Sequence, residues 1–167
     1  MSPLNIEFFG YIAAILTTAA FLPQLIKTLK TKKAEDVSLV TLIMFICNHC
    51  PYVTAIAERL SFEAKELKKF SINTIGIMSN DVTQYPEDSF ENMIKFANEN
   101  NFSFPYLADE TQEVAKAYDA VCTPDFFGYN NNLELQYRGR MRELKKLIPV
   151  RNGESDLFQA MKQIAKT

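Results

Sequence analysis

Two cysteines, Cys47 and Cys50, stand three positions apart between an apolar run and a helical pattern. The run 37–46 before them is apolar and rich in β-branched residues, which suits a central strand buried on both faces. After them, apolar residues recur at helical spacing from Val53, which predicts a helix to about Lys69. The pair therefore lies where a strand ends and a helix begins. The free amide groups and the dipole of a helix N-terminus favour a thiolate there.

The spacing of Cys47 and Cys50 predicts a dithiol–disulfide centre in which both residues are catalytic. We expect Cys47 to be the exposed attacking thiolate and Cys50 to be the more buried resolving thiol. His49 is the only histidine of the chain, and its positive charge would make the pair more oxidising. The substrate would be a disulfide of a protein or a small molecule, and an external dithiol would serve as the reductant.

Other uses of the cysteines need ligands that the sequence does not supply. A structural zinc site takes four ligands and an iron–sulfur cluster takes four cysteines, whereas the chain has three cysteines. We therefore expect no metal and no bound cofactor, with an inert buried pair as the alternative. The chain has 18 basic and 20 acidic side chains, so it lacks the basic excess of a nucleic-acid-binding protein, and no nucleic-acid partner is expected.

Beyond the cysteines, apolar strands alternate with amphipathic helices. A strand is predicted over 72–78, helices are predicted from Asp88 and Asp109, and the turn signal at 130–132 predicts a hairpin. A last helix is predicted from Ser155. This order predicts an α/β fold with a mixed central sheet and helices on its faces.

The helix after Pro86 begins with a capping-box pattern, in which Asp88 is followed three residues later by Glu91. The pattern predicts that Asp88 accepts a hydrogen bond from the start of this helix. One face of the helix would carry Phe90, Met93, Ile94 and Ala97.

The stretch 8–26 contains no charged side chain. A membrane-spanning helix needs about 20 mostly apolar residues, so this stretch is just long enough. Lysines follow it and none precedes it, which places the lysine end in the cytoplasm and the N-terminus outside. A signal peptide would carry its positive charge before the apolar run, and a soluble amphipathic helix would carry a polar face. We expect a single-pass protein on the cytoplasmic side of the cell membrane, with a cytoplasmic protein as the alternative.

Several motifs follow one another in an order typical of one family: FICNHCPYV, SNDVTQYPEDSFENM, FPYLADETQEVAKAYDAVCTPDFF and YRGR. Over about residues 43–167 the chain resembles the thioredoxin-like, peroxiredoxin-related (AhpC/TSA-like) family. The resemblance implies a three-layer thioredoxin-like fold whose redox centre is formed by Cys47 and Cys50. It also implies supporting roles at that centre for Asn48, His49, Pro51, Thr123 and Pro124.

The resemblance changes the expectation for the peptide bond before Pro124. Composition alone favours a trans bond, because only about 5–6% of X–Pro bonds are cis. The resemblance instead implies a cis-proline that faces the cysteine centre, with Thr123 before it. Cys122 would then lie near the centre as a candidate third redox thiol, with a packed small side chain as the favoured alternative.

The sequence departs from the peroxidatic motif of true peroxiredoxins, which is Pro-x-x-x-Thr-x-x-Cys. Counting back from Cys50, Cys47 stands in place of the threonine and Ile43 in place of the proline. The resemblance therefore implies thiol–disulfide exchange, with thiol peroxidase (antioxidant) activity as the alternative.

The N-terminal part, IEFFGYIAAILTTAAFLPQLIKTLKTKKAEDVSLVTLIMF, resembles the start of a SemiSWEET sugar transporter with its PQ-loop motif at Pro23 and Gln24. One transporter helix is complete, and the later helices that supply much of the sugar site are absent. The sequence thus predicts a chimera: a transporter-type segment over 1–36 and a redox domain over 37–167, whose first strand could be of transporter origin. An inactive fusion, or a half-transporter fragment without sugar transport, is the alternative.

Overall fold

The computed structural model describes residues 38–166. The helix predicted over 8–26, with its membrane association, and the transporter-type segment over 1–36 lie outside the described residues. The described residues belong to one unit that begins at Ser38. Within it, no helix combines the length and the apolar character needed to cross a membrane.

Five strands form one mixed sheet in the order β3-β2-β1-β4-β5. Strand β1 (Thr41–Phe45) lies at the centre and runs parallel to β2 (Asn73–Met78), which is in turn parallel to β3 (Tyr106–Ala108). On its other side, β1 pairs antiparallel with β4 (Asp125–Tyr129), which forms a hairpin with β5 (Leu135–Gly139). The predicted mixed sheet, with the strand before the cysteines at its centre, is confirmed.

Within residues 38–166, four α-helices accompany the sheet: α1 (Pro51–Lys68), α2 (Phe90–Glu99), α3 (Glu113–Ala117) and α4 (Asp156–Ile164). A short 3₁₀ helix, Pro86–Asp88, precedes α2. The sequence did not predict the small antiparallel pair β6 (Leu144–Lys145) and β7 (Ile148–Pro149).

The side chains of β1 enter two hydrophobic clusters, one on each face of the sheet. Leu42 and Met44 pack in the cluster that includes the buried faces of α1 and α4. Ile43 and Phe45 pack in the other cluster, together with Tyr118 at the end of α3. The continuous apolar run therefore reflects a strand that is covered on both sides, and the α/β three-layer arrangement is confirmed.

The predicted capping box at Asp88 is wrong. Helix α2 begins one residue later, and Ser89 is the N-cap residue, whose hydroxyl accepts a hydrogen bond from Asn92 N. Asp88 instead closes the 3₁₀ helix and is fully buried. The predicted apolar face is also only partly inward, since Met93 is buried whereas Phe90 and Ile94 are exposed.

A buried carboxylate, Glu63, fixes helix α1 to the segment that leads into α4. It accepts hydrogen bonds from Arg59 Nε at 2.7 Å and from Arg142 Nη2 at 3.3 Å. It also accepts from the backbone amide of Ser155 at 3.3 Å and from the Ser155 hydroxyl. The Ser155 hydroxyl is in turn the N-cap of α4, because it accepts from Phe158 N at 2.9 Å. This cluster helps to hold the helix whose first turn follows the cysteines.

Replacement of Ser155 by alanine is expected to lower the free energy of unfolding by about 1–3 kcal/mol. The variant loses a helix cap and also one donor to the buried Glu63 carboxylate. Urea denaturation followed by circular dichroism measures the loss. The matched control is Ser89→Ala, which removes a longer N-cap contact of 3.4 Å at a half-buried site and should cost less. Equal losses in the two variants would contradict the structural role given to Ser155.

Candidate active site

The cysteine pair occupies the loop between β1 and α1, at the carboxyl end of the central strand. The antiparallel register of β1 and β4 ends with the pair Phe45 and Asp125, so the residues after β1 lie near the residues before β4. Cys47 Sγ lies 3.0 Å from Thr123 Oγ1, and the Cys50 thiol donates to the Thr123 carbonyl at 3.4 Å. Both cysteines are free thiols. One threonine therefore contacts both sulfur-bearing side chains.

The peptide bond between Thr123 and Pro124 is cis. The expectation from composition, a trans bond, is therefore wrong, and the expectation from the family resemblance is confirmed. Pro124 directly precedes β4, so the cis bond lies where the chain enters the strand beside β1.

The predicted exposure of the two thiols is reversed. Cys47 is only 1% exposed, whereas Cys50 is half-buried. The reason is that Cys47 belongs to the buried cluster that includes Leu42 and Met44, whereas Cys50 is only partly buried against that cluster. In this conformation Cys50 presents the more accessible sulfur.

Asp88 lies beneath the segment that separates the cysteines, and its side chain has no exposed surface. Its Oδ1 accepts from Asn48 N at 2.7 Å and from His49 N at 3.3 Å. Its Oδ2 lies 2.7 Å from His49 Nδ1 and accepts from Asn80 Nδ2 at 2.8 Å. Sequence reasoning missed this residue, because the capping pattern offered a local explanation for it.

His49 is paired rather than free. Its Nδ1 faces the Asp88 carboxylate, and its ring stacks on Tyr85 with centroids 4.8 Å apart and planes 6° apart. The carboxylate offsets any positive charge on the imidazole. That charge was the basis for expecting His49 to make the pair more oxidising.

Asn48 and Tyr106 complete the hydrogen bonds beneath the loop. The Tyr106 hydroxyl donates to Asn48 Oδ1 at 3.1 Å and lies 3.3 Å from the carbonyl of Ile46. Asn48 Nδ2 donates to the carbonyl of Glu87 at 3.1 Å. Burial raises the pKa of Tyr106 far above its ordinary value, and negative charges on Cys47 and Asp88 would add to the rise. The phenol therefore stays protonated and acts as a donor. Pro51 is the first residue of α1, where a missing amide hydrogen costs no helical hydrogen bond.

The electrostatics of Cys47 differ from those expected at a helix start. Burial raises the pKa of its thiol above the ordinary value, and the charges of Asp88 and Cys50 add to the rise. The Thr123 hydroxyl and the Cys50 amide act in the opposite direction, but they do not outweigh burial. The lowered pKa that the sequence predicted for this position is therefore wrong for Cys47.

Cys122 is exposed, so the packed side chain favoured by the sequence is wrong. Although the residue is exposed, partial burial of the Cys122 thiol and the nearby charge of Asp125 raise the pKa of this thiol. Cys122 and Thr123 line a groove of about 240 Å³, together with Ser79, Asn80, Gln112 and Lys116 among others. Thr123, which contacts both thiols of the centre, therefore also lines this groove.

Cys47, His49 and Asp88 present one thiol, one imidazole nitrogen and one carboxylate oxygen within 4.8 Å of one another. This donor set could contribute to a metal site, which usually needs four ligands. Both oxygens of Asp88, however, already accept from two donors each. A metal ion would have to displace these donors, so the arrangement fits a hydrogen-bonded unit better than a metal site.

Comparison with known proteins places this geometry in a family. Residues 19–143 match the sequence profile of the AhpC/TSA family. The crystal structure of an uncharacterized conserved protein from Geobacillus kaustophilus is 44% identical, with a TM-score of 0.68, and the match covers 79% of this chain and 71% of that one. A secreted disulfide oxidoreductase of Mycobacterium tuberculosis, homologous to E. coli DsbE, is 17% identical with a TM-score of 0.57, covering 74% of this chain and 81% of that one. This last likeness shows the fold, which is thioredoxin-like as predicted.

The resemblance to a sugar transporter also has a counterpart among known proteins. The sugar transporter SemiSWEET of Bradyrhizobium diazoefficiens is 51% identical over 39 residues, which are 23% of this chain and 45% of the transporter. The chain thus spans less than half the length of that relative. The AhpC/TSA match begins at residue 19, inside the N-terminal segment that resembles the transporter.

Replacement of Thr123 by valine removes the hydroxyl that lowers the pKa of the Cys47 thiol, so that pKa is expected to rise further. The pH profile of Cys47 alkylation by iodoacetamide in the reduced protein, followed by mass spectrometry, reports the shift as a midpoint at higher pH. The control is Thr54→Val, since the Thr54 hydroxyl donates to the backbone carbonyl of Cys50 rather than to a sulfur. A midpoint that moves down in Thr123→Val would show that the hydroxyl does not stabilise the thiolate.

Proposed function

We propose that this chain, which belongs to the AhpC/TSA family, is a thiol–disulfide oxidoreductase whose Cys47 and Cys50 alternate between dithiol and disulfide. The observation that carries the proposal is the convergence of both thiols on Thr123, at 3.0 and 3.4 Å. Two free cysteines three positions apart, at the start of a long helix and beside a cis-proline, are arranged for exchange rather than for metal binding.

Exchange would proceed in two steps. In the first, one cysteine of the pair loses its proton and its thiolate attacks a substrate disulfide, which forms a mixed disulfide and releases one substrate thiolate. In the second, the other cysteine attacks the protein sulfur of the mixed disulfide, which forms the Cys47–Cys50 disulfide and releases the second substrate thiolate. An external dithiol then reduces the protein, so that two electrons pass from that dithiol to the substrate. No bound cofactor takes part.

The groove lined by Thr123 is a candidate binding surface for a substrate next to this centre. Its volume of about 240 Å³ can accept a side chain or a small thiol compound, and it mixes amide groups with one lysine, Lys116. Cys122 lines the same groove and is exposed, so it is the candidate for a third thiol that contacts the substrate. Disulfide-bearing proteins or small molecules are therefore the substrate class that we propose.

The organisation of the whole chain is a separate proposal. Residues 1–36 would form a transporter-type segment that crosses the membrane once with its N-terminus outside. Residues 37–167 would form the redox domain on the cytoplasmic side. The 51% identity to a SemiSWEET transporter over 39 residues supports a common origin for that segment. Sugar transport is not proposed, because the match covers only 45% of the transporter.

Reduction of insulin coupled to dithiothreitol tests the redox function. Cys47→Ser and Cys50→Ser should each fall to the uncatalysed rate, because either step fails when one sulfur is lost. Cys122→Ser should retain turnover if the two-cysteine centre is sufficient. Equal rates for the wild-type protein and Cys47→Ser would contradict the proposal. Consumption of hydrogen peroxide with the same reductant distinguishes peroxidase activity from disulfide exchange.

A further inference from the structure

We propose that Asp88 is a positioning residue of the redox centre, whose carboxylate takes the two backbone amides that a thiolate at Cys47 would otherwise use. The inference rests on the proposed function and adds a control element to it. Asp88 has no exposed side-chain surface and lies forty positions from Asn48 along the chain. It belongs to the 3₁₀ helix Pro86–Asp88, outside both elements that carry the cysteines.

The first step concerns the amides of the loop. Helix α1 begins with Pro51, which has no amide hydrogen and so offers no donor at the first helical position. The backbone amide of Cys50 forms a hydrogen bond with the Cys47 sulfur and lowers the pKa of that thiol. The amides of Asn48 and His49 both donate to Asp88 Oδ1, at 2.7 and 3.3 Å. Free backbone amides at the start of a helix usually stabilise an anion such as a thiolate. Here two of these amides donate to the Asp88 carboxylate instead.

The second step concerns charge. The titratable groups that face Cys47 are Asp88, Cys50, Tyr106 and His49. A negative charge within 4.8 Å of the sulfur opposes formation of a second negative charge there. His49 offsets part of that charge through the contact of its Nδ1 with Asp88 Oδ2. Asp88 therefore acts on the thiol in two ways, by withholding donors and by its own charge, and His49 moderates the second effect.

The consequence is that the Cys47 thiol must lose its proton before it can attack a disulfide. Each attack by Cys47 must begin with loss of a proton, so the exchange rate should increase as the pH rises. If Asp88 only holds the loop in place, removal of its charge should leave the pKa of the Cys47 thiol unchanged. The two roles therefore differ in the titration of Cys47 and not only in stability.

The test is Asp88→Asn in the full chain, with the pH profile of Cys47 alkylation by iodoacetamide as the readout. The asparagine oxygen can still accept from the two backbone amides, so the variant removes the charge and tests that effect alone. The midpoint is expected to shift to lower pH, because the Asp88 charge is one of the causes that raise the pKa of the Cys47 thiol. The matched control is Glu87→Gln, which removes one negative charge from the adjacent exposed residue and should leave the midpoint in place. An unchanged midpoint in Asp88→Asn, or a shift to higher pH, would overturn the proposal.

A second variant, His49→Asn, keeps the test decisive if Asp88→Asn does not fold. It leaves the Asp88 carboxylate and the two backbone amides in place but removes the imidazole that offsets the charge. The midpoint for Cys47 is then expected to move to higher pH, opposite to the shift for Asp88→Asn. An unchanged midpoint, or a shift to lower pH, would show that His49 does not offset an Asp88 charge that acts on Cys47, and would overturn the proposal.

The alkylation profile is measured on the reduced protein alone, without a disulfide substrate. A protein that fails to reduce insulin but shows the predicted opposite shifts would contradict the proposed function and leave the role of Asp88 intact. If the wild-type protein reduces insulin but Asp88→Asn shows no shift in the alkylation midpoint, the proposed function stands and the role of Asp88 is contradicted.

Discussion

The hydrogen bonds of the buried Asp88 carboxylate determine the shape of the loop between the two cysteines. That loop has no regular secondary structure, so its backbone amides need acceptors from elsewhere in the chain. Asp88 accepts from the amides of Asn48 and His49, and it also faces the His49 ring and the amide group of Asn80. One carboxylate therefore joins the end of the central strand, the start of α1 and the loop after β2.

The second constraint is the pairing of β1 with β4. Because the two strands are antiparallel neighbours, the residues after β1 meet the residues before β4, and Thr123 reaches both cysteine side chains. The pairing of β1 with β4 thus brings both cysteine thiols, Thr123 and the cis-proline to the same end of the sheet. Burial of Cys47 raises the pKa of its thiol, so the thiol must lose a proton before it can attack a disulfide.

The sequence predicted the features that depend on neighbouring residues. The apolar run before Cys47 became the central strand, the spacing after Cys50 became α1, and the three asparagines 130–132 marked the hairpin. It did not predict the features that depend on distant contacts. Asp88 looked like a helix cap until its partners forty positions away were known, and the contact of Cys47 with Thr123 spans seventy-six positions. Periodicity carries no information about contacts of that kind.

Disulfide mapping of the full chain after equilibration with oxidised glutathione tests the central claim most directly. Mass spectrometry without a reducing step identifies which sulfurs are joined. The predicted result is one intramolecular disulfide between Cys47 and Cys50, with both cysteines in a single peptide that has lost two hydrogens. Separate glutathione adducts on Cys47 and Cys50, or a disulfide of either one with Cys122, would show that the pair does not form the redox centre.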